Sequence, residues 1–283
     1  MKPSRFDYFA PGSVDECVAL LAEHGEDAKL LAGGQSLVPL MNLRLAAPEV
    51  LIDLNGVGEL DYVREDADRL AIGAMTRHRE VASDAVGTAC PMLAHAAGLI
   101  GYPPIRNRGT LGGSLVHADP ASELPCVALT LDAELVAAGP GGRRTIPAGD
   151  FFLSHFTTAL DPSELLLEVR FPRTAEDDRW GFVEFSRKSG DFAIAAVAVD
   201  LRLRDGRLER ARVGVAGVGE RPWRATAAEQ TLTADGPAPD VLQRAAQDAG
   251  EQAAAAADGY RGHVVATLTR RALDAALTRN GAR

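Results

Sequence analysis

Apolar and polar positions alternate with one rhythm up to Pro172 and another beyond it. Val14, Cys17, Val18 and Leu21 recur at helical spacing behind Ser13-Val14-Asp15-Glu16, which fits a capping box, and Gly25 closes this first helix. A short apolar run over 29–32 ends at Gly33-Gly34, and a helical turn follows over 37–43. Strands are predicted over 50–54, between Pro48 and Asn55-Gly56, and over 70–74; helical stretches are predicted over 77–86 and 92–100. The stretch 101–125 is rich in Gly, Pro, Asn and Asp and is predicted to be a long functional loop. A strand over 134–138, a turn over 139–142 and an alternating strand through Leu165, Leu167, Val169 and Phe171 complete this region.

Past the polar segment 173–179 the pattern changes. Strand-like runs over 182–187, 192–204 and 211–218 come first, with Asp205-Gly206 as a hairpin turn between the second and third. Three helical segments follow, over 224–233, 239–257 and 261–279, the last with Val264, Val265, Leu268, Leu273 and Leu277 on roughly one face. This half reads as a small antiparallel sheet backed by helices.

Composition narrows the chemistry. With 283 residues the chain is long enough for two cores, and 30 basic against 39 acidic side chains give a net charge of −9, a poor footprint for nucleic acid. No apolar run is long enough for a membrane span, and the start Met-Lys-Pro-Ser-Arg-Phe-Asp has no signal-like apolar stretch, so the cytoplasm is the expected address. Cys17, Cys90 and Cys126 are far apart and too few for a 2Fe–2S cluster, which takes four thiolates; Cys17 lies on the helix stripe as a small buried hydrophobe. The six histidines show no metal-ligand spacing.

Two segments share one design: Ala32-Gly33-Gly34-Gln35-Ser36 and Thr110-Leu111-Gly112-Gly113-Ser114. Each puts a Gly-Gly pair and then a hydroxyl after an apolar run. Glycines without Cβ let consecutive backbone N–H groups converge on one anion, and a helix start adds positive potential. A diphosphate suits such a pair of cradles, although two tight turns would use the same residues. No GxGxxG fingerprint and no P-loop accompanies them, so a dinucleotide would bind through another architecture. His117 and Asp119 could form an acid–base pair on one strand face, Arg106 and Arg108 could meet phosphate, an acidic partner or solvent, and Trp180 and Trp223 are expected to pack rather than to serve a cofactor.

The stretches 32–41 and Asn107-Arg108-Gly109-Thr110-Leu111-Gly112-Gly113-Ser114-Leu115-Val116-His117-Ala118-Asp119-Pro120-Ala121, about 78 residues apart, resemble the two FAD-binding motifs of the flavoprotein medium subunits of molybdenum hydroxylases, the carbon monoxide dehydrogenase and xanthine dehydrogenase family. The resemblance runs on through Glu164-Leu165-Leu166-Leu167 and Gly190-Asp191-Phe192-Ala193-Ile194. It implies an α+β fold: a vanillyl-alcohol-oxidase-type (PCMH-type) FAD-binding domain over 1–175, with subdomains at about 1–57 and 58–175, and a C-terminal domain over 176–283 of a small antiparallel sheet packed with helices. It implies FAD contacts from Leu31, Ala32, Gly33, Gly34, Gln35, Ser36, Ile100, Thr110, Gly112, Gly113, Ser114, Asp119, Glu123, Leu166 and Lys188, with no catalytic side chain and no metal ligand on this chain. Two departures stand out: Glu123 replaces an Asp of the xanthine dehydrogenase branch, and Glu184 stands where many relatives carry Lys. The molybdenum cofactor and 2Fe–2S clusters are implied on a large and a small partner subunit, in a dimer of heterotrimers. The implied role is electron transfer to oxygen, a quinone or NAD. A self-sufficient flavin oxidoreductase of the same superfamily and a non-enzymatic binding module are the competing readings.

Overall fold

The computed structural model describes residues 2–278. Strands and helices are numbered here in chain order. The first sheet is parallel, with β3 (Val50–Asp53) between β1 (Asp7–Phe9) and β2 (Ala28–Leu31). The crossover from β1 to β2 is α1 (Val14–His24), capped as the sequence predicts by the Ser13 hydroxyl accepting from the Glu16 N–H, and its Cys17 is fully buried in the first core. The short strand β1 carries no alternation that announces it, and the sequence pattern misses it.

The second sheet, antiparallel, runs β4 (Val63–Glu65), β5 (Arg69–Gly73), β10 (Leu165–Pro172), β6 (Glu134–Gly139), β7 (Gly142–Pro147), with β8 (Phe152–Ser154) and β9 (Thr157–Thr158) as a small ribbon beside it. Leu166 and Leu167 of β10 face opposite cores: Leu167 joins the first sheet's cluster, Leu166 the cluster under the helices. The predicted helix over 77–86 is two short ones, α3 (His78–Val81) and α4 (Asp84–Ala89), because the Ser83 hydroxyl starts the second by accepting from Val86. Next comes α5 (Pro91–Leu99).

The predicted loop over 101–125 is instead largely helical: α6 (Pro103–Arg106), α7 (Leu111–His117) and the start of α8 (Glu123–Thr130). Its glycines and prolines sit at helix ends and in close packing, which composition cannot separate from open loop. A one-turn helix, α9 (Ala148–Phe151), precedes β8.

The third sheet runs β11 (Asp178–Phe185), β12 (Ala195–Arg204), β13 (Arg207–Ala216), β14 (Trp223–Arg224), with Asp205-Gly206 as the hairpin turn. It is covered on both faces. Val197, Val199 and Leu201 face α10 (Thr226–Asp235), α11 (Pro239–Ala256) and α12 (Gly259–Thr278), while Ala196 and Ala198 lie against the α5–α8 core. Small residues on that second face let α8 approach the sheet closely. The predicted third helix reaches Arg279, which lies outside the described residues.

An ion-pair chain joins the two regions. Asp132, just past α8, pairs with Arg212 and Arg224; Arg212 also reaches buried Asp200, which meets Arg210, and Arg210 meets Asp178. No helix among the described residues is long and apolar enough to cross a membrane.

Candidate functional site

Chain leaving β2 at Leu31 turns through Ala32 and the first glycine pair into α2 (Leu37–Asn42). Gly34 takes φ +74°, a conformation that favours glycine, and the Gln35 amide folds back to donate to the Gly33 carbonyl at 3.1 Å. Among the described residues, the backbone N–H groups of Gly33, Gly34, Gln35 and Ser36 donate to no protein acceptor. Four consecutive half-buried donors need an acceptor with several oxygens, and a diphosphate meets that need.

The second segment works differently from the sequence expectation of a matching cradle. Its N–H groups are already engaged: Leu111 donates to the Thr76 carbonyl at 3.0 Å, Gly112 to Ala74 at 2.8 Å, Gly113 to the Thr110 hydroxyl at 3.0 Å and Ser114 to the Thr110 carbonyl at 3.1 Å. Gly112 is required by packing instead, since a Cβ there would fall 2.6 Å from the Ala74 β-carbon. What this segment can offer a ligand is hydroxyls, from Thr110, whose oxygen caps α7, and from half-buried Ser114.

The two segments touch. A Cβ on Gly33 would overlap the Arg108 carbonyl and lie 2.7 Å from the Gly109 Cα, and Ala32 adjoins Gly113. Ile100 ends α5 and packs on the core. Its neighbours Gly101 and Tyr102 hold the 186–191 loop of the third region: the Tyr102 hydroxyl donates to the Ser189 carbonyl at 2.9 Å, and Gly190 lies against the Gly101 carbonyl. That loop brings the exposed Lys188 to the Ile100 side. Leu166 is buried in the helical core, 3% exposed, which leaves it no open face in this structure.

Glu123 begins α8 and is buried, and its carboxyl is pushed up to about 7, first by burial and then by the charges of Glu184 and Asp119. Burial also raises the Glu184 carboxyl, one oxygen of which has no hydrogen-bond partner. Two carboxyls of raised pKa, Glu123 from one region and Glu184 from the other, therefore lie near the junction, with the charge of Glu184 felt at Glu123. Asp119 accepts from the Ala121 N–H at 2.9 Å and shapes its own turn, after Ala118 has entered the left-handed region at φ +51°. His117 ends α7, with its ring centroid 5.0 Å from that of Phe156 and its basicity lowered by burial. Both His117 and Asp119 are thus committed elsewhere, and the strand-spaced acid–base pair does not form because this segment is a helix end. Arg106 serves the backbone, donating to the Ile100 and Gly101 carbonyls, and Arg108 is exposed. Trp180 packs near His95 and Trp223 donates to the Val218 carbonyl.

Sequence reasoning passes over Arg77 and Asn55. Arg77 reads as the start of a helix and Asn55 as half of a turn, yet both bond to the glycine segments: Asn55 Nδ2 donates to the Ala32 carbonyl at 3.1 Å, and Arg77 Nη1 to the Arg108 carbonyl at 2.5 Å. Nothing in their local pattern signals this. His78 escapes the sequence pattern too; it is buried, meets the Thr110 carbonyl through Nε2 at 2.8 Å, and is held neutral with its pKa lowered to about 4 by burial.

Fold and site together define a flavin-binding oxidoreductase component. The chain belongs to the FAD-binding medium subunits of molybdenum hydroxylases: residues 4–174 match the FAD binding domain in molybdopterin dehydrogenase, and residues 180–276 match the CO dehydrogenase flavoprotein C-terminal domain. It is 40% identical to the carbon monoxide dehydrogenase medium chain of Hydrogenophaga pseudoflava over 286 aligned residues, covering 99% of each chain. It is 42% identical to the 6-hydroxypseudooxynicotine dehydrogenase complex subunit alpha of Paenarthrobacter nicotinovorans, covering 99% of this chain and 97% of that one. Among solved structures, the carbon monoxide dehydrogenase of Hydrogenophaga pseudoflava lacking the Mo-pyranopterin moiety of its cofactor superposes with a TM-score of 0.94 at 41% identity over 99% of both chains.

Proposed function

We propose that this chain holds FAD between the segments 31–36 and 110–114 and carries electrons from 2Fe–2S centres of a partner subunit to an external acceptor: oxygen, a quinone or NAD. Bound FAD supplies a carrier that takes electrons singly or in pairs. The observation that supports this most is the run of four unengaged N–H groups at 33–36, set directly against the second segment. In this reading the 33–36 amides bind the diphosphate, while the Thr110 and Ser114 hydroxyls orient it. Glu123 accepts or donates a hydrogen bond to a sugar hydroxyl according to its protonation, with Asp119 setting the turn that leads to it. Ile100, from the helical layer, and Lys188, from the 186–191 loop, flank the ring, and Leu31 closes the strand side, with Leu166 in the core rather than against the ring. The division is 1–175, with subdomains at 1–57 and 58–175, and 176–283.

A large molybdenum-cofactor subunit and a small 2Fe–2S subunit complete the assembly, proposed as a cytoplasmic dimer of heterotrimers. The test is purification of the full chain co-expressed with the products of its neighbouring genes. A yellow complex containing molybdenum, iron and one releasable FAD per chain is expected. A chain that is colourless alone and with those products overturns the proposal. A yellow chain that oxidises or reduces a small substrate without partners establishes the self-sufficient alternative.

A further inference from the structure

We infer that Arg77, acting through Asn55, is a positioning residue that clasps the two glycine segments into one FAD site; this rests on the reading of those segments given above. The segment carrying Arg77 is already stitched to the second half of the site. Arg77 pairs with Thr110 in an isolated antiparallel bridge, Thr76 receives the Leu111 N–H, and the His78 N–H donates to the Gly109 carbonyl at 2.9 Å. From that spine the guanidinium reaches both ways. Nη1 donates to the Arg108 carbonyl at 2.5 Å, and Nη2 donates to Asn55 Oδ1 at 2.7 Å.

Asn55 passes the connection on. Its Nδ2 donates to the Ala32 carbonyl at 3.1 Å, and its orientation is fixed by Asp53, which accepts from the Asn55 backbone N–H at 2.9 Å and is itself held by the Tyr8 hydroxyl at 2.6 Å. One guanidinium thereby anchors a carbonyl in each segment, one directly and one through a single amide.

The consequence for the cradle follows from peptide geometry. In a trans peptide the C=O and N–H of one unit point to opposite sides. Asn55 holds the Ala32 carbonyl behind the cradle, so the N–H of Gly33, in the same peptide unit, is aimed out of the front. That N–H is the first of the four unengaged donors. Both hydrogen-bond acceptors of Arg77 are neutral oxygens, and its charge, partly offset by Asp61 and Glu80, lies behind the place assigned to the diphosphate. Arg77 and Asn55 touch protein atoms rather than the ligand; they act by aiming the donors and by charge.

The test is FAD titration and FAD release from the full chain, followed by flavin fluorescence, for the wild type, Arg77→Met, Arg77→Lys, Asn55→Ala and the Arg77→Met/Asn55→Ala double variant. Arg77→Met and Asn55→Ala are each expected to weaken FAD binding by about tenfold to a hundredfold, mostly through faster release, as loss of a charge-assisted pair of bonds does. The double variant is expected to lose less than the two single losses combined, because Arg77 reaches the Ala32 carbonyl only through Asn55. Arg77→Lys, which keeps the charge but cannot span both acceptors, is expected to recover part of the affinity, and less of it at high salt. Exposed Asn55 serves as the second probe if Arg77→Met fails to fold. Unchanged release rates in the single variants, or fully additive losses in the double variant, overturn the clasp. A wild-type chain that takes up no FAD overturns the reading of the site itself.

Discussion

The carbonyl oxygen of Arg108 occupies the space that a β-carbon on residue 33 would need, so the two glycine segments meet backbone to backbone at Gly33. Neither side of that contact is a side chain that can rotate away. Gly33→Ala must therefore push the segments apart, at about 1–3 kcal/mol of overpacking, and disturb the cradle directly. At Gly113 the nearest atom is the Thr110 hydroxyl that caps α7, 2.7 Å from an added Cβ, so the strain falls on one side chain rather than on backbone. The flavin-to-protein absorbance ratio after purification should fall far more in Gly33→Ala than in Gly113→Ala. Equal flavin content in the two would contradict the assigned contact.

Glu123 makes the FAD-free chain lose stability as pH rises from mildly acidic towards neutral. Its carboxyl ionises at about 7 in the folded chain against 4.5 in the unfolded one. Between those values the unfolded chain has released the proton and the folded chain has kept it, so stability drops as pH rises through this window and stays lower above it. The loss amounts to up to about 3 kcal/mol, at roughly 1.4 kcal/mol for each tenfold change in proton affinity. Glu123→Gln should reduce the slope of the melting-temperature profile between pH 4.5 and about 7, the two ionisations that bound the window. A variant with the wild-type slope would show that another group drives the dependence.

The ion-pair chain between the two regions is not uniform in strength. Asp132 is half exposed, so Asp132→Asn, which keeps a residue that tolerates its φ of +50°, is expected to cost about 1 kcal/mol or less despite losing two ion pairs. Asp200 is 4% exposed between Arg210 and Arg212. Asp200→Ala leaves Arg210 with Asp178 and Arg212 with Asp132 but removes the buried acceptor between them, and should cost about 1–3 kcal/mol. Urea midpoints of the two variants separate these outcomes, and similar losses would mean that burial does not grade the network.

Close approach of α8 to the third sheet depends on Gly214, where an added Cβ would strike the Thr130 hydroxyl. Gly214→Ala should destabilise the chain by about 1–3 kcal/mol. Thr130→Ala removes the struck atom, so the double variant should lose less than the two single losses combined. Additive losses in denaturant unfolding would rule this contact out as the cause.

Much of this architecture is legible in the residues themselves. The capped first helix, the hairpin at Asp205-Gly206 and the sheet-and-helix pattern after Pro172 follow from spacing and turn chemistry. The two glycine segments are visible as a pair because Gly-Gly followed by Ser is scarce and repeated here. Their unequal use is not, because the acceptors that engage Leu111 and Gly112 are the Thr76 and Ala74 carbonyls, on a segment whose approach only the fold sets. Helices α6 and α7 are hidden by their own glycines and prolines, which signal loop in isolation but serve caps and close packing here. Arg77 and Asn55 lie 22 residues apart, and no periodic pattern links them.

Because the amides after Thr110 are already satisfied by their own protein while those at 33–36 are not, the molecule meets its guest with one finished wall and one bare one. The shape of the finished wall is therefore set by the fold alone, and any ordering that a ligand imposes would be confined to the bare one.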